Sequence, residues 1–241
     1  MIGRLVVTIC ICALLASCST GQRTNVLSSD GSASFAVMDF KNGIPLDPLP
    51  PGWFHRKFIL QPPMEISFVT KQDRPAIRLA THASASMLFR YVDINIDEYP
   101  NLAWSWLIEQ PINSNIDEST RAGDDHPARL YLKFQAPDGA LHSMEIIWGN
   151  KKLHRGDWKY LKSFWSRSSF PHYTANGGDD NAGGWIDESV NLRGLYRKLW
   201  GDPKGARLIE IALFCDTDQT GAESIAYFGM VKVEKTTKPG S

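Results

Sequence analysis

The feature that most constrains the fold of this chain is an alternation of apolar and polar residues with a period of two. In segment 102–108, two tryptophans and two aliphatic residues share one face, and small residues lie on the other. Segments 130–134 and 225–233 alternate in the same way. Successive side chains of a β-strand point to opposite faces, so this pattern predicts half-buried strands. Further strands are predicted at 64–70, 76–81, 87–94, 141–148 and 208–214.

Turn residues separate these segments, with prolines and glycines at 62–63, 137–139 and 202–205. One helix is predicted over 191–200, because leucines recur there at spacings of three and four residues and Gly201 follows as a C-cap. Many strands, frequent turns and one short helix predict a mainly β fold, namely a two-sheet jelly-roll-type β-sandwich with one short helix near 191–200.

A long stretch at 156–184 lacks a strand pattern and is predicted to be an irregular loop. Its part at 177–184 is rich in glycine and aspartate and is not expected to form a strand. Trp158, Trp165 and Trp185 lie in or beside this stretch. Exposed aromatic rings on a β-sandwich could stack on sugar rings, or they could pin the loop to the sheet. Trp158 and Trp185 are therefore candidate ligand-binding residues.

The N-terminus has the pattern of a processed signal, with Arg4, an apolar stretch at 5–15 and the sequence Leu15-Ala16-Ser17-Cys18. The apolar stretch is too short to span a bilayer, which needs about 20 apolar residues. Residues 15–18 resemble the bacterial lipobox, and this resemblance implies cleavage before Cys18 and its lipidation. Ser19 after the cysteine implies the outer membrane, with the protein facing the periplasm.

These signals divide the chain into four parts. Residues 1–17 are predicted to be a lipoprotein signal peptide and residues 18–34 a flexible polar tether. Residues 35–235 are predicted to form a single β-sandwich domain, followed by a disordered tail at 236–241. The expected location is the bacterial cell envelope, where the lipid on Cys18 would attach the domain to the membrane.

Charge and cysteine content narrow the function further. The chain has 26 basic and 26 acidic residues without a basic block, which gives no basis for nucleic-acid binding. Cys215 is the one cysteine after Cys18, so an internal disulfide is not expected. Cys215 ends an apolar run, which predicts a buried, unreactive thiol.

The sharpest local motif is Asp216-Thr217-Asp218-Gln219-Thr220-Gly221, which directly follows an apolar strand. It matches the nucleophile motif of haloacid-dehalogenase-type phosphatases, but only twenty residues follow it, and those α/β enzymes carry the motif near their start. It also resembles the first half of a calcium loop, in which Asp216, Asp218 and Thr220 would offer oxygen ligands. A tight polar turn between two buried strands would have the same sequence.

A second acidic segment is Asp124-Asp125, followed by Arg129 at the start of a predicted strand. Arg129 could hold an acidic or hydroxylated ligand with its planar set of donors. It could equally pair with Asp125 or Asp216 across strands as a structural ion pair. His126 precedes a proline, which favours an extended backbone and a surface turn.

The order of these motifs resembles one bacterial family, the "domain of unknown function 3047" family. The resemblance covers about 35–233, and its motif Pro50-Pro51-Gly52-Trp53 lies early in that range. Its later motifs are the Trp104-Trp106 strand, the Asp124-to-Arg129 segment, the helix ending at Trp200 and the motif at 216–221. The resemblance implies the domain limits and the importance of the two acidic turns, but it implies no substrate.

Three functions agree with these observations. The leading hypothesis is a lipid-anchored envelope protein that binds a glycan or another envelope ligand without catalysis, with calcium as a candidate structural ion. The second is a polysaccharide-active hydrolase or lyase that uses paired carboxylates among Asp124, Asp125, Asp216 and Asp218. The third is a structural envelope protein that contacts only other proteins.

Overall fold

The computed structural model describes residues 25–162 and 169–236. The predicted signal peptide, Cys18 and Trp165 lie outside the described residues, and so do residues 237–241 of the predicted tail.

Fourteen strands and one α-helix form within the described ranges. In chain order they are β1 (Leu27–Ser28), β2 (Ser34–Met38), β3 (Phe54–Lys57), β4 (Glu65–Lys71), β5 (Arg74–His82), β6 (Ser86–Asn95), β7 (Asn101–Gln110), β8 (Arg129–Gln135), β9 (Leu141–Gly149), β10 (Trp158–Lys162), β11 (Ser169–Gly177), β12 (Ile186–Asn191), α1 (Leu192–Trp200), β13 (Arg207–Phe214) and β14 (Glu223–Glu234).

The strands form two sheets. The large sheet has the order β1-β6-β13-β8-β9-β11-β10, with β3 also paired to β6. The small sheet has the order β12-β7-β14-β5-β4, with β2 also paired to β14. Neighbouring strands are antiparallel except for the pairs β1–β6 and β9–β11. The predicted two-sheet jelly-roll-type β-sandwich with one short helix is confirmed.

The alternating residues build the core between the sheets. Trp106 on β7 is fully buried, and its ring contacts the rings of Trp104, Trp148 and Phe228 at centroid distances of 5.2, 5.5 and 6.1 Å. These contacts join β7 and β14 of the small sheet to β9 of the large sheet. The inner residues of β8 point into this core, so its odd-numbered residues, beginning with Arg129, lie on the outer face of the large sheet.

The predicted helix is present as α1. The Asn191 side chain accepts a hydrogen bond from the Gly194 backbone N–H and caps its first turn. Among the described residues, no helix is both long and apolar enough to cross a membrane.

The prediction of an irregular loop at 156–184 is wrong, because β10 and β11 lie within it. Inward-facing Ala175 and outward-facing His172 and Thr174 on β11 are all buried. The outward-facing ones are polar, so the strand lacks the alternation of apolar and exposed polar residues that marks a half-buried strand.

The predicted tether also needs correction in its second half. Leu27 and Ser28 pair with Val92 and Asp93 of β6, and Leu27 packs against the core. Further along, the Tyr99 hydroxyl donates a hydrogen bond of 2.8 Å to the Ser32 carbonyl. Residues 25–34 are polar in sequence, but their backbone groups are used to complete the edges of the sheets.

We therefore expect a protein that begins at Ser34 to be less stable than one that begins at Asn25. The shorter protein loses the β1 pairing and the Ser32 contact, and a few hydrogen bonds of about 1 kcal/mol each predict a loss of about 2 kcal/mol. Urea unfolding of the two proteins measures the difference. Equal free energies of unfolding would mean that residues 25–33 behave as a tether after all.

Candidate functional site

A cluster of charged side chains lies on the outer face of the large sheet. The strand register places Glu145 of β9 opposite His172 of β11, and His172 opposite Lys159 of β10. Arg129 on β8 lies beside them, and its guanidinium contacts the Glu145 carboxylate. Four neighbouring strands thus bring charged groups to one place on the sheet.

Arg129 is the centre of this cluster. Its side chain is 2% exposed, and its five N–H groups make five contacts. Nε and Nη2 contact the two carboxylate oxygens of Asp216 at 2.8 and 2.7 Å. Nη1 donates to Glu145 Oε2 at 2.8 Å and to Asp124 Oδ1 at 3.4 Å, and Nη2 also donates to the Asp124 carbonyl oxygen. No donor of Arg129 is left for a ligand.

The three N–H groups of the Lys159 ammonium are also engaged by protein groups. Its ammonium group contacts the Glu118 carbonyl oxygen at 2.9 Å, the Asp124 carboxylate and His126 Nε2 at 2.6 Å. His126 Nδ1 lies 2.8 Å from the Trp148 carbonyl oxygen, which can only accept, so Nδ1 carries the proton and Nε2 accepts from Lys159. The expectation that His126 lies on a surface turn is wrong, because the ring is fully buried.

The buried charges shift one another's titration. Burial raises the pKa of Glu145, but Arg129 and His172 outweigh this effect and hold it at about 2. Burial lowers the pKa of Arg129, and the surrounding carboxylates reverse that and hold it well above its ordinary value. Burial, followed by the charges of Lys159 and Arg129, lowers the pKa of His126 well below its ordinary value. Glu145 is therefore ionised at neutral pH and His126 is uncharged.

The pKa values of Asp216 and Asp218 shift in the opposite direction from that of Glu145. Burial raises the pKa of Asp216 well above its ordinary value, with contributions from Asp125 and Asp124, while Arg129 opposes the rise. Burial and Asp125 also raise the pKa of Asp218. In both aspartates the leading cause is burial, which disfavours the ionised carboxylate.

The motif at 216–221 forms the turn between β13 and β14, which is capped by Asp125. Asp125 accepts hydrogen bonds from the backbone N–H groups of Gln219 and Thr220 at 3.2 and 2.6 Å. The hydrogen bonds of this motif are therefore those of a tight polar turn between two strands. Asp125 caps this turn and was not found paired with Arg129.

The predicted calcium ligands are only partly brought together. Carboxylate oxygens of Asp125, Asp216 and Asp218 lie within 4.8 Å of one another, whereas the Thr220 hydroxyl accepts a hydrogen bond from the Ala222 backbone at 3.3 Å. Both oxygens of Asp216 already face the guanidinium of Arg129. Because a cation bound there would stand beside this positive charge, the donor set does not fit a calcium ion.

The cluster forms the floor of an open pocket with a volume of about 280 Å³. We call it the carboxylate pocket, and its lining residues are Phe58, Gln61, Ala85, Met87, Asp124, Arg129, Glu145, Phe214, Asp216, Asp218 and Gln219. Four carboxylates and one cation are among them. The structure thus brings the candidate residues Asp124, Arg129, Asp216 and Asp218 into one pocket, and a carboxylate oxygen of Asp125 lies close to those of Asp216 and Asp218.

Neither candidate tryptophan belongs to this pocket. Trp158 packs on Tyr173 at a centroid distance of 5.1 Å, and Lys198 lies over its ring at 4.3 Å. Trp185 lies on the outer face of the small sheet, where its indole N–H donates to the Lys71 carbonyl at 3.0 Å. Both rings are half-buried.

Sequence reasoning missed Glu145, Lys159, His172 and Glu118. Glu118 is buried and accepts hydrogen bonds from four consecutive backbone N–H groups at 150–153. A usable signal was present for Glu145, which is the one charged residue in the apolar strand 141–149. Lys159 and His172 lie in the stretch that was expected to be a loop, so no register connected them to the cluster.

No curated protein matches the sequence. Solved structures are similar in fold at very low identity. The family 11 carbohydrate-binding module of a cellulosomal cellulase of Clostridium thermocellum has 6% identity and a TM-score of 0.46, over 86% of this chain and 98% of that chain. A family 30 carbohydrate-binding module from the same organism has 9% identity and a TM-score of 0.44, over 85% and 99%. An endoglucanase from Rhodothermus marinus has 11% identity and a TM-score of 0.41, over 76% and 97%.

A family model described as "Protein of unknown function (DUF3047)" matches residues 51–232. The match includes the strands that carry Arg129, Glu145 and Lys159, together with the acidic turn at 216–221. It confirms the resemblance inferred from the order of the motifs. The chain therefore belongs to the DUF3047 family.

Proposed function

We propose that the carboxylate pocket binds a hydroxyl- or amine-bearing saccharide and that the protein is a glycan-binding module. The single observation that carries this proposal is the imbalance between used donors and free acceptors in the pocket. All the N–H groups of Arg129 and Lys159 are engaged by the protein itself. A ligand therefore meets acceptors, and it must supply the donors.

Three carboxylates offer these acceptors. Among the described residues, contacts to Asp124 are made through Oδ1, contacts to Glu145 through Oε2, and the Gln219 amide donates to Oδ2 of Asp218 at 2.6 Å. The second oxygen of Asp124 and that of Glu145 have no described donor, and Asp218 accepts in addition from its own backbone N–H. Sugar hydroxyl and amine groups are donors, and hydrogen bonds to a charged acceptor are stronger than neutral ones.

The lack of free donors in the pocket narrows the ligand class. The guanidinium that lines it has its donors engaged by protein groups, so the carboxylate of an acidic sugar would meet only acceptor oxygens there. Neutral and amine-bearing saccharides are favoured, and uronic acids are excluded. This replaces the expectation that Arg129 holds an acidic ligand.

We also propose that the domain is attached to the outer membrane by a lipid on Cys18 and faces the periplasm. The support is the lipobox-like sequence at 15–18 and the serine that follows it. A glycan-binding domain in this position would meet cell-envelope polysaccharides directly.

A hydrolase or lyase is the second candidate function. It is favoured by the opposite pKa shifts of two carboxyl groups in the pocket. The pKa of Asp218 is raised, whereas the pKa of Glu145 is held at about 2. Such a difference is typical of an acid and base pair. The release of reducing or unsaturated ends from a bound oligosaccharide would support this candidate over a binding module.

The first test replaces Asp218 by Asn. Calorimetric titration with hexamers of glucose, glucosamine and galacturonate should show binding of a neutral or amine-bearing hexamer by the full-length protein, and none of galacturonate. Asp218→Asn should weaken that binding about tenfold, because a charged acceptor becomes a neutral amide. The thermal midpoint should stay unchanged or rise, because a half-buried charge is removed.

Asp73→Asn is the matched control, since Asp73 is exposed in the turn between β4 and β5 and has the positive φ of 61° that asparagine tolerates. Its affinity should equal that of the unmodified protein. Binding of galacturonate, or no binding of any neutral or amine-bearing hexamer, would contradict the proposal.

Arg129 should behave as a structural residue. Arg129→Met leaves the buried carboxylates of Asp216 and Glu145 without their partner, and we expect the free energy of unfolding to fall by about 3–5 kcal/mol. Arg74→Met is the control, because Arg74 pairs with the exposed Asp187 at the surface and should cost at most about 1 kcal/mol. If urea unfolding shows that Arg129→Met and Arg74→Met lose the same free energy of unfolding, the central role of Arg129 is refuted.

The proposed anchor is tested by Cys18→Ser. Palmitate labelling of cells should mark the unmodified protein and not the variant, and the variant should leave the membrane fraction. A single acyl chain binds membranes only weakly, so stable attachment implies more than one chain. Labelling that persists in the variant would place the lipid elsewhere or reject the lipoprotein assignment.

A further inference from the structure

An exposed apolar loop stands at the mouth of the carboxylate pocket. Ile59 and Leu60 are 90% and 96% exposed, the highest values among the large hydrophobic residues of the described ranges. Phe58 and Gln61, which flank them, line the pocket. Two consecutive aliphatic side chains held in water next to a ligand pocket indicate a contact surface.

The base of this loop is fixed to the floor of the pocket. On one side, Lys57 pairs with Ser86 in the register of β3 and β6. On the other side, the Pro62 carbonyl accepts a hydrogen bond of 3.0 Å from the Ala85 N–H. Ala85 itself forms a bridge to Asp216, so the loop is anchored within one residue of the buried cluster.

The conformation at the tip is unusual for its sequence. Leu60 has a φ of 67°, in the left-handed region that branched side chains rarely adopt. Strained backbone positions persist where the surrounding structure determines them, and they are frequent at ligand clamps. Both aliphatic side chains are exposed in this conformation.

We propose that Ile59 and Leu60 form the specificity-determining wall that covers the C–H face of the bound saccharide. The inference rests on the proposed function of the carboxylate pocket and deepens it by naming the ligand class. In an all-equatorial pyranose the hydroxyl groups lie around the ring edge, and the axial C–H bonds form apolar faces. Carboxylate oxygens of Asp124, Glu145 and Asp218 accept from the edge while the tip covers one face.

A lipid surface fits the tip less well. The donors of the guanidinium in the pocket behind it are all engaged by protein groups, so a lipid phosphate would find no donor there. The ligand class is therefore a neutral or amine-bearing sugar of all-equatorial configuration, such as a unit of a glucose or glucosamine polymer.

The test is the double variant Ile59→Ser, Leu60→Asn in the full-length protein, in which asparagine tolerates the positive φ. Calorimetry with the glucose and glucosamine hexamers should show about tenfold weaker binding, because the buried apolar contact is lost. Leu141→Ser is the matched control, since Leu141 is 53% exposed in the hairpin at the opposite end of β8 and β9. Both variants should keep the thermal midpoint.

Each outcome supports or overturns the inference. If Asp218→Asn weakens binding and the double variant does not, the tip makes no contact and the pocket proposal stands. If a mannose hexamer, with its axial hydroxyl, binds as well as the glucose hexamer, the assigned C–H face is wrong. If no hexamer binds, or if the protein sediments instead with phosphatidylethanolamine–phosphatidylglycerol vesicles through Ile59 and Leu60, both proposals fail.

Discussion

The buried guanidinium of Arg129 is the interaction on which the described site depends. An unpaired charge in this position would cost several kcal/mol in lost hydration, so every N–H group needs an acceptor. The acceptors come from β9, from the turn after β13 and from the segment before β8. One side chain therefore holds together parts of the chain that are distant in sequence, and it fixes their carboxylates relative to one another.

The same arrangement separates structural charges from charges available to a ligand. Asp216 gives both oxygens to Arg129, and Asp125 gives both oxygens to the backbone of the turn. Asp218 contacts the Gln219 amide and its own backbone N–H, and it is half-buried in the lining of the pocket. Asp216 and Asp218 of one motif thus have different environments, because Asp216 faces the buried guanidinium and Asp218 is half-buried in the pocket lining.

The period-two pattern predicted most of the sandwich because it reports burial on one face of a strand. β6, β7, β8, β9, β13 and β14 follow it within one or two residues. β10 and β11 escaped prediction because paired polar groups on their outer face are buried. The acidic turns were found from local spacing, whereas Glu145, Lys159 and His172 meet Arg129 only through the strand register. That register is a property of the folded sheet, which local patterns do not specify.

Ala85 connects the two halves of the proposed ligand site. It is 3% exposed, its N–H fixes the end of the apolar loop, and its bridge to Asp216 reaches the guanidinium network. The end of the apolar loop and the buried cluster are thus joined through the backbone of one residue, and the proposed ligand would be held from both sides. Preorganisation of this kind lowers the entropic cost of binding.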